Sequence, residues 1–285
     1  MIAQSVLYGI VVLLLYSVGA FLIVRPLKRE GSVKALVASQ IGAVIPSVIY
    51  LAFFGPSLSI STYYLLLCLA AGALAAGSGY FGFKSIEAER VSLVYPISGA
   101  WAVVTTPLAI LLLHEVLNIT EAIGVAIIIF GLLLASLSLI SIKKLSVKLS
   151  SKAVEYSILS MLFSGGVMFL VGFVSQKAGW FLPVLIVIII EGAFYAAYLV
   201  HKRSNLKMPA RSILPLLIAG VLAGIAFLIY SVGSQSGTIA IIAPLASAAP
   251  IGTIILAYLF LKERLNAGEL IGVLLLIGGI VLLSI

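Results

Sequence analysis

The sequence predicts an all-α polytopic membrane protein, with ten transmembrane helices arranged as two inverted five-helix repeats. Composition is the first reason, because 63% of the 285 residues are apolar, only 9% are charged and the mean hydropathy is +1.30. The second reason is an internal repeat, in which Glu115 and Asn118 recur in register as Glu263 and Asn266. The third is that the two halves carry their positive charge in opposite sets of loops.

Ten apolar stretches are long enough to cross a bilayer, since about 20 helical residues span its hydrocarbon core. They cover residues 3–24, 33–54, 62–83, 91–113, 119–140, 153–175, 181–200, 212–234, 238–261 and 268–285. Together they leave no segment for a nucleotide-binding domain, which excludes an ATP-driven pump within one chain. The first stretch lacks a basic start and a small-residue cleavage site, so we expect a retained helix and not a signal peptide.

The repeat divides the chain into three parts. Residues 1–141 form the first five-helix repeat, 142–152 a basic cytoplasmic hinge, and 153–285 the second repeat. The same spacing, about half the chain, pairs Pro96 with Pro244, and a fixed internal period indicates that one structural unit occurs twice. Because five spans is an odd number, the second repeat must enter the membrane in the opposite direction, an arrangement typical of secondary transporters.

Loop charges test this orientation independently. The loop after the first span carries Arg25, Lys28, Arg29 and Lys34, whereas its repeat counterpart has only Lys177. Every other Lys and Arg falls in the loops that follow odd-numbered spans. The positive-inside rule therefore predicts a multi-pass protein of the cell membrane with cytoplasmic basic loops and both termini extracytoplasmic. We expect the net charge of +8 to face anionic lipid, and not nucleic acid.

Two equivalent motifs resemble a known family. Residues 89–96 read ERVSLVYP and residues 237–244 read GTIAIIAP, and each leads through an apolar helix to a glutamate, Glu115 or Glu263. This pattern is similar to the EamA-type branch of the drug/metabolite transporter superfamily, over the whole chain as two tandem modules. The resemblance implies a ten-helix secondary carrier of small metabolites, often an exporter, and it names no substrate.

Glu191 is the most informative single residue, because it lies near the middle of the seventh span. An ionisable side chain at that depth costs about 2.5–3.5 kcal/mol on insertion scales, so it normally faces a cavity or a partner. Tyr195 and Tyr198 follow on the same helical face. A carboxylate beside two rings can receive an organic cation or carry a proton. A protonated Glu191 with a purely structural hydrogen bond is the alternative.

Further candidates are weaker, because packing or interface anchoring explains each of them as well. The possible cavity residues are Tyr16, Gln40, Tyr95, Trp101 and Ser247. Pro96 and Pro244 open the fourth and ninth spans and are hinge candidates, with a tolerated kink as the alternative. Lys84 and Glu87 are gate candidates, and a plain surface pair is the alternative.

The repeated Glu-x-x-Asn-x-x-Glu spacing predicts helix capping. Asn118 and Asn266 are expected to cap the fifth and tenth spans. Glu115 and Glu263 then lie at equivalent turns on opposite faces of the membrane, and we expect them to stabilise the fold.

An enzyme is not expected. The nine acidic residues are all Glu, and His114 and His201 lie at span ends, so no metal site or catalytic cluster is predicted. We expect no cofactor, and as partners only the bilayer, a small-molecule substrate and a coupling proton, in a monomer or homodimer. The predicted function is secondary active transport of small polar or cationic metabolites such as amino acids or amines, by proton-coupled export or exchange. A facilitative channel remains the alternative.

Overall fold

The computed structural model describes residues 2–89, 91–138, 151–203, 205–261 and 267–284. Within these ranges the regular structure is entirely helical. The helices are α1 Ile2–Glu30, α2 Ser32–Phe54, α3 Thr62–Ala88, α4 Val91–Gly99, α5 Ala102–Leu113, α6 Ile119–Ser138, α7 Ser151–Ala178, α8 Phe181–His201, α9 Ala210–Ser236, α10 Ile239–Ser247, α11 Ala249–Leu261 and α12 Ala267–Ser284.

The described helices have the lengths and hydropathy that a bilayer requires. Nine stretches are long and apolar enough to cross a membrane, and α6 supplies a shorter apolar helix. Large apolar side chains remain exposed on the outside of the bundle, Phe53 at 80% and Phe130 at 60%. In water such a surface would be unfavourable, whereas in lipid it is the expected exterior. The chain is therefore an all-α polytopic membrane protein.

Parts of the predicted hinge and of the repeated motif lie outside the described residues. These are the hinge up to residue 150, together with Glu263 and Asn266 of the second repeat. The helix α7 begins at Ser151, so the last two residues of the predicted hinge are already helical.

The fourth and ninth predicted spans are each broken into two helices. The first break separates α4 from α5 at Ala100, and the second separates α10 from α11 at Ala248. The backbone N–H of Ala100 donates to the carbonyl oxygen of Ile97 at 3.2 Å, and that of Ala248 donates to the carbonyl oxygen of Leu245 at the same distance. Pro96 and Pro244 lie inside α4 and α10, a few residues before the breaks and not at the helix starts. The breaks occupy equivalent positions in the repeat, as discontinuous helices do in many transporters.

Helix packing relates the two halves symmetrically. α1 packs along α9, and its repeat counterpart α7 packs along α3. In the same way α1 contacts α10 and α11, while α7 contacts α4 and α5. The counterparts α6 and α12 pack against each other. This exchange of partners is the pattern expected when a two-fold relation connects two copies of one unit.

The helices α2 and α9 cross with their backbones in contact. A Cβ atom built on Gly220 would lie 2.8 Å from the carbonyl carbon of Ser39, and one on Gly224 would lie 3.1 Å from that of Ala43. Small residues four positions apart permit this close approach in membrane helices. The contact brings two helices from different halves together beside the centre of the bundle.

The predicted cap of α6 is confirmed. The Asn118 side-chain oxygen accepts the backbone N–H of Glu121 at 2.9 Å, and a Glu121 carboxylate oxygen accepts the backbone N–H of Asn118 at 2.9 Å. This reciprocal pair is a capping box, which satisfies two amides that the first turn of a helix leaves without partners.

Candidate functional site

A cavity of about 230 Å³ lies between the two halves, near the middle of the helices. Its walls come from the first three helices of each repeat, α1, α2 and α3 together with α7, α8 and α9. The polar residues among its lining are Tyr16, Ser39, Gln40, Ser78, Ser164, Glu191 and Tyr195. The remaining lining is apolar apart from glycine, so the cavity combines a few polar groups with an apolar surface, as small-molecule sites commonly do.

Glu191 and Tyr195 lie one turn apart on α8 and face this cavity together. The Tyr195 hydroxyl donates to Oε1 of Glu191 at 2.8 Å, and the tyrosine ring is only 2% exposed. Gly79 on α3 makes room for the pair, because a Cβ atom at that position would overlap the Tyr195 hydroxyl and lie 3.3 Å from Oε1. The ring therefore fixes the position of the carboxylate within the bundle.

Gln40 connects the two halves beside this pair. Its Nε2 atom donates to the carbonyl oxygen of Ile188 at 2.9 Å, which ties α2 to α8 one turn before Glu191. Ile188 is the repeat counterpart of Gln40, so the contact joins equivalent positions of the two halves. The counterpart of Glu191 is Ala43, which also lines the cavity. Equivalent positions of both halves thus line the cavity, but at this pair only the second half carries a carboxylate, that of Glu191.

Serine hydroxyls hold the opposite wall of the cavity together. Ser160 on α7 donates to the carbonyl oxygen of Ser78 on α3 at 2.9 Å, and the hydroxyls of Ser78 and Ser164 are in hydrogen-bond contact. Ser39 donates to the carbonyl oxygen of Ala35, within its own helix, at 2.8 Å. Each of these hydroxyls thus has a partner, and Ser39, Ser78 and Ser164 line the cavity. A hydroxyl that donates one hydrogen bond keeps acceptor capacity on its oxygen.

A second cavity, of about 130 Å³, continues from the first. Tyr16, Phe83 and Ala223 line both, and Tyr95 and Thr253 line the second only. It extends toward the end of the bundle where α1 ends and α2 begins. This end carries most of the basic residues and is called the basic end below, and the opposite end is called the neutral end.

Comparison with known proteins agrees with this architecture. Residues 151–285 match the model of the EamA-like transporter family. The chain belongs to this family. It is 37% identical to an uncharacterized protein of Methanocaldococcus jannaschii over 101 residues, which are 35% of this chain and 74% of that protein. A crystal structure of a protein 16% identical in sequence resembles it with a TM-score of 0.73, over 99% of this chain and 98% of the other.

The crystal structure supports the fold alone, since proteins of such low identity share an architecture without sharing a function. The family is one of membrane transporters of small molecules. For this EamA-like transporter, the cavity between the halves is therefore the candidate transport site, and a membrane-embedded enzyme is not the expected class.

The structure places five of the predicted site residues at the cavities. Gln40, Glu191 and Tyr195 line the first cavity, Tyr16 lines both, and Tyr95 lines the second. The spacing of Glu191 and Tyr195 on one helical face predicts their proximity, and tertiary packing brings Gln40 and Tyr16 of the other half to the same cavity.

Other predicted candidates lie away from the described cavity walls. The Tyr198 ring lies toward the basic end, where it packs against Tyr80 with ring centroids 5.4 Å apart. Trp101 is 6% exposed and packs edge-on against Tyr230 at 5.9 Å. The Ser247 hydroxyl is buried and donates to the carbonyl oxygen of Pro244 at 2.9 Å. For Trp101 and Ser247 these contacts agree with the packing alternative, and Tyr198, predicted beside Glu191, lies outside the lining of the two described cavities.

Lys84 and Glu87 form an ion pair of 2.7 Å at the basic end. The Ser32 hydroxyl donates to the same Glu87 oxygen at 2.6 Å, so the pair connects α3 to the start of α2. Both charged side chains are partly exposed, and such pairs contribute about 0–1 kcal/mol.

Sequence reasoning missed Ser78 and Gly79 as cavity residues. Both belong to a run of small residues in α3, and small residues in membrane helices usually indicate close packing. A signal was nevertheless present, because Ser78 places a hydroxyl within a long apolar helix. Its role depends on tertiary packing, because α7 and α8 both pack against α3.

Proposed function

We propose that this chain is a secondary active transporter that moves small polar or cationic organic metabolites, such as amino acids or amines, by alternating access. The observation that carries the proposal is Glu191, an ionisable group at the middle of a membrane helix that lines a cavity between the two repeats. Secondary transporters place their substrate and ion sites near the midplane at a repeat interface.

The size and lining of the cavity favour a small substrate. Its volume of about 230 Å³ lies below the roughly 300–1,000 Å³ typical of sites for drug-sized ligands. A carboxylate has about four acceptor positions, and the side chains of Tyr195 and Gln40 are hydrogen-bond partners of Glu191. The remaining positions suit an ammonium group, and the apolar and aromatic walls, including Tyr16 and Phe227, suit the carbon skeleton attached to it.

The same carboxylate supports coupling to a proton. A cationic substrate and a proton compete for one negative charge, because binding both would leave an uncompensated charge in a poorly solvated site. Alternate occupancy of Glu191 by the two cations produces exchange across the membrane. From the loop charges, we propose that the basic end faces the cytoplasm of a cell membrane and that both termini are extracytoplasmic.

The test begins with a ligand panel of amino acids, quaternary amines and nucleosides, read as thermal stabilisation of the purified protein in detergent. A ligand that binds only the folded state raises the unfolding temperature as its concentration increases. Ligands found in this way are then used in proteoliposomes, where counterflow identifies a carrier. Preloaded substrate accelerates uptake through a carrier and leaves flux through a channel unchanged.

The decisive variant is Glu191→Gln, which keeps the shape of the side chain and removes its titration. We expect it to fold, to lose accumulation driven by a pH gradient and to retain some substrate exchange. Glu155→Gln is the matched control, because Glu155 is exposed on α7 and lines neither described cavity. Normal gradient-driven accumulation by Glu191→Gln would assign Glu191 to a structural role and refute the coupling mechanism.

A further inference from the structure

Glu115 connects the two halves at the neutral end of the bundle. It lies in the connection between α5 and α6, in the first half. Its Oε1 atom accepts the backbone N–H of Ile239 at 3.0 Å, and its Oε2 atom accepts that of Ala240 at 2.8 Å. The Gln176 side chain, near the end of α7, donates to Oε1 at 3.1 Å. One carboxylate of the first repeat thus holds two helices of the second.

These contacts complete the first turn of α10. The initial N–H groups of a helix have no partner within the helix, and the helix dipole favours a negative charge beside them. The residue at the N-cap position, Thr238, makes no side-chain capping bond. The cap is supplied instead by Glu115, more than one hundred positions earlier in the chain.

The helix α10 closes the bundle between the cavity and the neutral end. Ile239 and Ile242 are fully buried and pack in one apolar cluster with Trp101 and Tyr230. Tyr16 and Met168, which line the cavity, pack against the same cluster. The break at Ala248 separates α10 from α11, so α10 is a segment of nine residues with its own two ends.

We propose that Glu115 is the latch of a gate at the neutral end. It holds α10 over the cavity, and opening the cavity toward that end requires the hydrogen bonds to Ile239, Ala240 and Gln176 to break. Hydrogen bonds lose most of their strength within a small displacement, so the latch has a closed and an open arrangement and few states between them. The inference extends the proposed function, because it assigns how one end of the cavity is closed and does not depend on the coupling ion.

The test measures access to the cavity from each side of the membrane. In a protein with Cys68 replaced by Ala, a single cysteine is introduced by Ala223→Cys, at a residue that lines both cavities. Its labelling by an impermeant maleimide is followed in intact cells and in inverted vesicles. A separate Ser59→Cys variant, in the exposed connection between α2 and α3, identifies the membrane face on which the neutral end lies.

Glu115→Gln removes the charge and one strong acceptor while nearly preserving the shape of the side chain. We expect labelling at position 223 to become about tenfold faster from the face of the neutral end, which corresponds to about 1.4 kcal/mol in the closed–open equilibrium. Labelling from the basic end should not accelerate. Gln176→Met, which removes one of the three hydrogen bonds, should give a smaller increase and provides a second variant if Glu115→Gln does not fold.

Glu121→Gln is the matched control. Glu121 also accepts a backbone N–H at a helix start, but its partner Asn118 belongs to the same half. The Glu121→Gln variant should have a lower thermal stability and an unchanged rate of labelling at position 223. Unchanged labelling in both Glu115→Gln and Gln176→Met, or an equal increase in Glu121→Gln, overturns the latch. Since no substrate or gradient is used, the result is independent of the test of Glu191.

Discussion

The crossing of α2 and α9 provides a quantitative test of the packing beside the cavity. In Gly220→Ala, the added methyl group would overlap the carbonyl oxygen of Ser39 and lie 2.8 Å from its carbonyl carbon. These atoms belong to the backbone of α2, so no side-chain rotation can relieve the contact. Gly42 and Gly224 make similar close approaches in the same interface, so sliding one helix along the other does not relieve it either.

The size of the effect follows from the distances. The limiting contact is the one with the carbonyl oxygen of Ser39, which lies closer than the carbonyl carbon, and real Cβ contacts are longer than 3.0 Å, so the two atoms must move apart by roughly 1 Å or more. A gap of about 0.5–1 Å already removes a quarter to a half of the dispersion energy of the atom pairs that it separates. Overpacking of this kind typically costs about 1–3 kcal/mol, and we expect Gly220→Ala to lower the free energy of unfolding by that amount.

The assay is denaturant-induced unfolding in detergent, together with the thermal midpoint of the same samples. Gly278→Ala on α12 is the matched control, because a Cβ atom there would meet no heavy atom within 4 Å. The control should be neutral or stabilising by up to about 1 kcal/mol, since Ala favours the helix more than Gly does. If Gly220→Ala proves as stable as Gly278→Ala, the close crossing of α2 and α9 is wrong.

Three further predictions concern single side chains. Tyr195→Phe removes the hydroxyl that donates to Glu191 and should lower the free energy of unfolding by about 1–3 kcal/mol in the same assay, and an unchanged value would contradict that hydrogen bond. Asn118→Ala removes the cap of α6 and should cost about 0.5–2 kcal/mol, whereas no loss would refute the capping box. A cysteine at Ser146, outside the described residues, should resist an impermeant thiol reagent in intact cells after Cys68 is replaced, and ready labelling would reverse the predicted topology.

The predicted spans and the described helices agree because both depend on local properties. Helix length follows from the thickness of the hydrocarbon core, and the capping box follows from the spacing of Asn118 and Glu121. The breaks at Ala100 and Ala248 were not predicted, although Pro96 and Pro244 indicated irregular backbone nearby. A proline weakens a helix locally, but whether the chain bends, and where, depends on the neighbouring helices that satisfy the released backbone groups.

The sequence by itself determined the repeat, the membrane class and the depth of Glu191, because each depends only on composition or on the spacing of residues along the chain. The tertiary structure alone decided which side chains meet across the repeats. Gln40 reaches Ile188 and Glu115 reaches α10 only because helices distant in sequence pack together. The tertiary structure also gives Tyr195 and Tyr198 different surroundings, because Tyr195 contacts Glu191 at the cavity and Tyr198 packs against Tyr80. One helical face is wide enough to contact two different neighbours. Periodicity specifies the direction of a side chain from its own helix, whereas a site requires the positions of several helices at once.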